Sequence, residues 1–190
     1  MLLTSSPVSR IQEWATRWRF LLAIPAAAIA VVFTDRPPMW PGVAVALCGE
    51  AIQVWASAHL HKNVELVVSG PYAYVRNPMY VGRFFVGLGL ALLTWRWFLI
   101  APYVLVFWLY AHARVLGEEV RLRGLFGERY LAYCAVVSRW RPRIPRQRFS
   151  QARWSWACVL RNHELRVAVA VVGGMLLLRW RMLAFGAAWH

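Results

Sequence analysis

The feature that most constrains this chain is a succession of apolar runs separated by arginine and proline. Met39 to Leu60 holds one acid, Glu50, in an otherwise uncharged stretch, and a helix needs about 20 such residues to cross a bilayer core of roughly 30 Å. Trp97 to Val115 comes close to that length. Phe20 to Phe33 and Tyr80 to Trp95 are shorter, and Val167 to about Leu183 carries Arg179 and Arg181. These three depend on flanking arginine and tryptophan side chains reaching the headgroups to complete a span. Phe20 to Phe33 follows Arg17-Trp18-Arg19 as a signal peptide would. It precedes Asp35-Arg36-Pro37-Pro38 and another span, so retention is expected. With 60% hydrophobic residues and a mean hydropathy of +0.45, the reading is all-α: a polytopic integral membrane protein with about five transmembrane helices and a cytoplasmic helical cap.

The formal charge of +14 and the arginine-rich run from Arg139 to Arg153 raise the question of nucleic acid. No recognition helix or other reading module accompanies them. In a chain this apolar, clustered arginine marks cytoplasmic loops and contact with anionic lipid. Membrane lipids are therefore the expected partners and nucleic acid is not. Arginines gather at the N-terminus, in the 61–79 connection and in 116–165, while Asp35, Arg36 and Arg96 are the charges of the intervening turns. That asymmetry puts the N-terminus inside and the end of the fifth segment outside. Cys48, Cys134 and Cys158 are far apart, with no CxxC or HExxH pattern, which speaks against a disulfide framework and against a metal site.

Residues 1–19 read as an interfacial helix with Ile11, Trp14 and Trp18 at helical spacing. The expected organisation is one domain over 1–190: a four-helix membrane core at 20–115, a cytoplasmic cap at 116–150 and a fifth membrane helix at 164–188. "TDRPPMWPG" turns the first hairpin and "TWRW" the second. Glu50 lies mid-span with Gln53 one turn later. An ionisable group at that depth marks either function or a structural hydrogen bond to a neighbouring helix, and both stay open. Beyond the fourth span, Val115, Leu116, Glu119, Val120, Leu122, Leu125 and Phe126 keep the helical pattern. Gly127 then precedes a short helix with Tyr130 and Tyr133 on one face, and "RPRIPRQRF" continues as an extended basic tether.

Between the second and third spans stands "SGPYAYVRNPMYVGRF", Ser69 to Phe84, too rich in proline, tyrosine and arginine for a plain turn. The short 94–97 turn makes spans three and four neighbours, so their cytoplasmic ends bring this connection beside the cap. Gly70-Pro71-Tyr72, Arg76-Asn77-Pro78, Tyr80, Gly82, Glu118-Glu119, Leu122, Phe126-Gly127, Tyr130, Tyr133 and Arg141-Pro142 follow in that order. This pattern, with "KNVEL" at Lys62 to Leu66, resembles the isoprenylcysteine carboxyl methyltransferase family. That family lies within the wider group of integral-membrane phospholipid-type methyltransferases. The likeness covers Ser69 to Pro142. Asn77 stands where the eukaryotic carboxyl methyltransferases have histidine and bacterial members often have asparagine.

The resemblance implies transfer of a methyl group from S-adenosylmethionine to a lipid-like or other hydrophobic acceptor, in a bacterial inner membrane, with the active site facing the cytoplasm. The residue types suit that cofactor. Glu118 and Glu119 are acceptors for ribose hydroxyls or the amino group, and Arg76 and Asn77 are donors for its carboxylate. Tyr72, Tyr74 and Tyr80 offer ring faces to adenine or to the sulfonium, and Pro78 shapes the backbone. Gly82, Gly87 and Gly89 either let the cofactor approach or let helices pack. Arg76, Asn77 and Tyr80 are the expected catalytic set. Arg83 either snorkels or holds an anionic acceptor, and His59 and His61 are either candidate bases or solvated loop residues. Two other readings of the architecture stand beside this one: a noncatalytic scaffold or lipid-binding protein of the same fold, and a reductase using a nicotinamide cofactor.

Overall fold

The computed structural model describes residues 40–60, 65–144 and 154–161, with positions 169, 172–174, 176 and 180. The expected lead-in helix at 1–19, the first segment, His61, the tether beyond Ile144 and most of the fifth segment lie outside the described residues. What is described is helical without strands: α1 (Trp40–His59), α2 (Pro78–Leu93), α3 (Ile100–Phe126), α4 (Glu128–Val136) and α5 (Trp156–Arg161). Short 3-10 turns stand at Gly70–Ala73 and Trp97–Leu99.

The closest packing is between α1 and α2, and small residues seven apart make it possible. A Cβ on Gly82 would lie 2.5 Å from Gln53 Cγ and 2.7 Å from the Gly49 carbonyl oxygen. One on Gly89 would lie 2.5 Å from the Ala46 nitrogen and 2.6 Å from the Gly42 carbonyl oxygen. Gly42 thus meets the end of α2 and Gly49 its start, so the two helices run antiparallel, backbone against backbone. Glu50, Gln53 and Ser57 are buried on α1, and Gln53 Nε2 donates to Glu50 Oε2 at 3.1 Å. A structural hydrogen bond is thus present for this pair, between two residues of one helix.

Thr94 closes α2: its hydroxyl donates to the Ala91 carbonyl at 2.7 Å and accepts from the Arg96 N–H at 3.3 Å. Trp95 takes a left-handed φ of 58°, a conformation that a bulky residue adopts only in a tight turn. Pro102 is tolerated in the first turn of α3 because its missing N–H has no intrahelical partner there. Tyr103 fills the space beside Gly87, where a Cβ would come within 2.2 Å of its hydroxyl, and donates to the Phe84 carbonyl at 2.8 Å. The 27-residue α3 runs without a break from the apolar hairpin into the polar cap and stops at Gly127, whose φ of 52° and ψ of −128° suit glycine alone. In α4, Tyr130 and Tyr133 face inward as their spacing foretold and, with Val137, pack against Val68.

Among the described residues one helix, Trp97–Phe126, is long and apolar enough to cross a membrane, and Pro78–Leu93 is apolar but shorter. Leu105, Val106 and Leu109 stand exposed along α3. In α1 the buried polar set of Glu50, Gln53, Ser57 and His59 dilutes what was expected to be the cleanest span.

Candidate functional site

The connection before α2 is shaped by its backbone. Gly70 has φ of 57°, and a Cβ there would lie 2.7 Å from the His59 ring. Pro71 then opens the 3-10 turn, and its Tyr72 carbonyl accepts from the Tyr133 hydroxyl at 2.7 Å. The segment that leaves α4 lies alongside: the Arg76 N–H donates to the Ser138 carbonyl at 2.9 Å, and the Arg143 N–H to the Tyr74 carbonyl at 3.0 Å. Asn77 precedes Pro78 at the start of α2 and makes no side-chain cap. Its Nδ2 donates instead to the Arg139 carbonyl at 3.3 Å.

These contacts converge on Glu119. Arg76 Nη1 lies 3.1 Å from Glu119 Oε1, and Arg139 grips the same carboxylate with two parallel bonds, Nε to Oε1 at 2.9 Å and Nη2 to Oε2. Such a fork is geometrically selective as well as strong. The Arg76 and Glu119 side chains are each 15% exposed, so water screens the cluster weakly. The hydrogen bonds that Arg139 donates to Glu119 raise its affinity for its proton, against the opposing effect of burial. Arg76 Nη1 also donates to Cys134 Sγ at 2.9 Å, while Arg76 Nε is buried without a hydrogen-bond partner. Two guanidiniums around one carboxylate leave a net positive charge and one buried N–H in need of an acceptor.

An aromatic wall adjoins the cluster. Tyr80 is buried against Ala111 and Val115 of α3, its ring centroid 6.5 Å from Trp140 in a T-shaped contact and 6.4 Å from Tyr110. The Arg83 guanidinium, on an exposed residue, sits over the Tyr80 ring at 5.3 Å. Trp108 lies 5.6 Å from Trp140 and stacks on His112 at 6.0 Å.

The structure thus brings together Arg76, Asn77, Pro78, Tyr80 and Glu119 of the expected residues, with Glu118 beside them, partly buried on α3. Others go elsewhere. The Tyr72 side chain belongs to an apolar cluster with Ala56, Val67 and Met79. The exposed Tyr74 leans on Trp55 at 6.0 Å. Gly82 and Gly89 face α1, and Gly87 faces Tyr103, so of the two roles open to these glycines the structure shows packing. His59 is a buried packing residue whose Nδ1 lies 3.0 Å from the Trp55 carbonyl. Sequence reasoning missed Arg139, Cys134, Trp108, His112 and Trp140. The one available signal was a tryptophan and an arginine directly before Arg141-Pro142, read as part of a basic run.

The site therefore joins a helical hairpin, a proline-bound Arg-Asn pair and an acid on the next helix. Residues 42–129 match the family described as phospholipid methyltransferase; the matched stretch spans α1 to the start of α4 and holds Arg76, Asn77 and Glu119. More particularly, the chain is similar to proteins named protein-S-isoprenylcysteine O-methyltransferase. It is 33% identical over 102 residues to the protein-S-isoprenylcysteine O-methyltransferase of Schizosaccharomyces pombe, covering 54% of this chain and 43% of the relative. It is 38% identical over 68 residues to those of Xenopus laevis and Homo sapiens, covering 36% of this chain and 24% of each relative. The chain spans less than half the length of these curated relatives. No solved structure matches it significantly.

Proposed function

We propose that this protein is an integral-membrane methyltransferase that moves a methyl group from S-adenosylmethionine to a lipid-like or other hydrophobic acceptor. The observation that carries the reading is Glu119 held between Arg76 and Arg139, which ties the connection, α3 and the segment after α4 into one site. The names of the relatives support it, as does the match to the phospholipid methyltransferase family.

The residues present fit the cofactor. The buried, unpartnered Nε of Arg76 and the positive balance of the cluster suit a carboxylate. Asn77, fixed by Pro78 and by the Arg139 carbonyl, orients the same end. Glu118 and Glu119 are acceptors for its hydroxyls and ammonium. Tyr80 offers a ring to a cation, as its contact with Arg83 illustrates. When bound, S-adenosylmethionine supplies a methyl group on a positively charged sulfur. The chain's task is to align donor and acceptor and to exclude water. In this reading the chain crosses the membrane about five times with its N-terminus and site on the cytoplasmic side, and the acceptor arrives laterally along the exposed apolar face of α3.

Calorimetric titration of the purified protein with S-adenosylmethionine or its demethylated product tests the reading. The wild type is expected to bind, and Glu119→Gln to bind at least tenfold more weakly, because the loss frees both arginines from their positions. Affinity unchanged by that substitution removes the cluster from the site. Titration with a nicotinamide cofactor in its place separates the methyltransferase from a reductase.

A further inference from the structure

Arg139 grips Glu119 with one edge of its guanidinium and keeps another edge free. The grip uses Nε on Oε1 at 2.9 Å and one N–H of Nη2 on Oε2. A guanidinium carries five N–H donors in one plane, so both N–H groups of Nη1 and the second of Nη2 are left over. Nη1 and Nη2 form the end of the group, a second pair of parallel donors that matches an oxyanion. Among the described residues no hydrogen bond or ion pair occupies that pair. The free edge is also held in direction. Asn77 Nδ2 donates to the Arg139 carbonyl at 3.3 Å, and the Arg76 N–H donates to the Ser138 carbonyl at 2.9 Å. With the main chain tied at one end and the fork at the other, a ligand that takes the remaining donors has little left to order. The Arg139 side chain is 30% exposed, against 15% for Arg76, so it is the more open of the two guanidiniums.

Glu119, by contrast, is nearly filled. A carboxylate offers about four lone-pair sites. Oε1 accepts from Arg139 Nε and faces Arg76 Nη1 at 3.1 Å, and Oε2 accepts from Arg139 Nη2. Glu118, the next residue on α3, makes no hydrogen bond or ion pair among the described residues and keeps its lone pairs for a cation. A free guanidinium edge and a free acid beside the clamped one complement the two charges that an α-amino acid carries on one carbon. We infer that Arg139 is a ligand-binding residue: its free end-on edge takes the carboxylate of the cofactor's amino-acid tail, and Glu119 is the positioning residue that holds that edge in place. The inference rests on the methyltransferase reading above and assigns a role within it. Glu119 then acts on the cofactor chiefly through Arg139.

A fork that served only to strap the segment after α4 onto the connection would look the same in the structure. The two roles differ in what is lost when the ligand has no carboxylate. A strap matters equally to every ligand of the site, whereas a carboxylate-binding edge matters only to a ligand that carries one.

The test titrates the purified full chain in detergent with two ligands. One is S-adenosylhomocysteine, the demethylated cofactor; the other is its decarboxylated analogue, which keeps the adenosine, the sulfur and the amino group. The wild type is expected to bind the first about tenfold or more tighter than the second, the usual worth of a hydrogen-bonded charge. Arg139→Lys keeps the charge but cannot offer two parallel donors to each of two carboxylates. It is expected to weaken S-adenosylhomocysteine about tenfold and the analogue by less than about twofold, so that binding of the analogue also reports an intact fold. Glu119→Gln is expected to show the same selective pattern. Equal losses for both ligands in Arg139→Lys overturn the inference, as does an unchanged affinity for S-adenosylhomocysteine in that variant. Equal losses in Glu119→Gln overturn its positioning role. A wild type that binds the two ligands equally overturns the carboxylate assignment and leaves the methyltransferase reading standing, whereas one that binds neither overturns the reading beneath it.

Discussion

At the residue scale, Tyr133 shows how one polar atom docks the cap. Its hydroxyl donates to the Tyr72 carbonyl at 2.7 Å from within an apolar cluster. Burial holds its phenol far above the usual range, with the neighbouring Tyr130 adding to the shift. Burial does the same for Tyr130, with Glu119 next in weight. A folded-state value raised above the unfolded one of about 10 means that this stability is complete below pH ~10 and declines as pH climbs beyond it. Phenolate absorbance followed against pH should therefore show ionisation of these two rings coinciding with release of the cap. Tyr133→Phe is expected to cost about 1–2 kcal/mol in a denaturant titration. Neither aromatic was a surprise, since their spacing in "GERYLAYCAV" places both on one helix face. The partner of Tyr133 was illegible, because a backbone carbonyl carries no signature in the sequence.

Between elements, the glycines of α1 and α2 decide the distance of approach. Gly82→Ala would press a methyl group into Gln53 Cγ and the Gly49 carbonyl, and backbone cannot yield as a side-chain tip can. Overpacking of this kind costs about 1–3 kcal/mol, read as a lowered midpoint in detergent unfolding. Gly124→Ala is the contrasting case: nothing lies within 4 Å of its would-be Cβ, so the helix propensity of alanine should add about 0.5–1 kcal/mol. The spacing of these glycines is plain in the sequence. Their meaning is not, since a backbone close to a neighbouring helix and a backbone close to a ligand call for the same residue.

For the whole molecule, the reading places every exposed arginine of the cap on one side of the membrane. Arg121, Arg123, Arg129 and Arg143 are exposed in the structure, and none of them precedes a proline. Trypsin should cut at these positions in inverted membrane vesicles and spare them in right-side-out vesicles; cleavage from the outer face would reverse the proposed topology. Much of this organisation is written in the sequence, because hydropathy and helical periodicity are local properties. They sufficed for an all-helical chain, the α2–α3 hairpin, the helical run through Glu119 into the cap and the Arg76-Asn77-Pro78 stretch beside it. Only the tertiary structure decided the partners. Arg139 reaches Glu119 from the head of a run that reads only as arginine-rich, Trp140 meets Tyr80 from the same place, and Tyr72 turns into the core. The physical reason is distance along the chain. A carboxylate takes whichever guanidinium the fold delivers, and composition alone cannot say which of 22 basic residues will arrive.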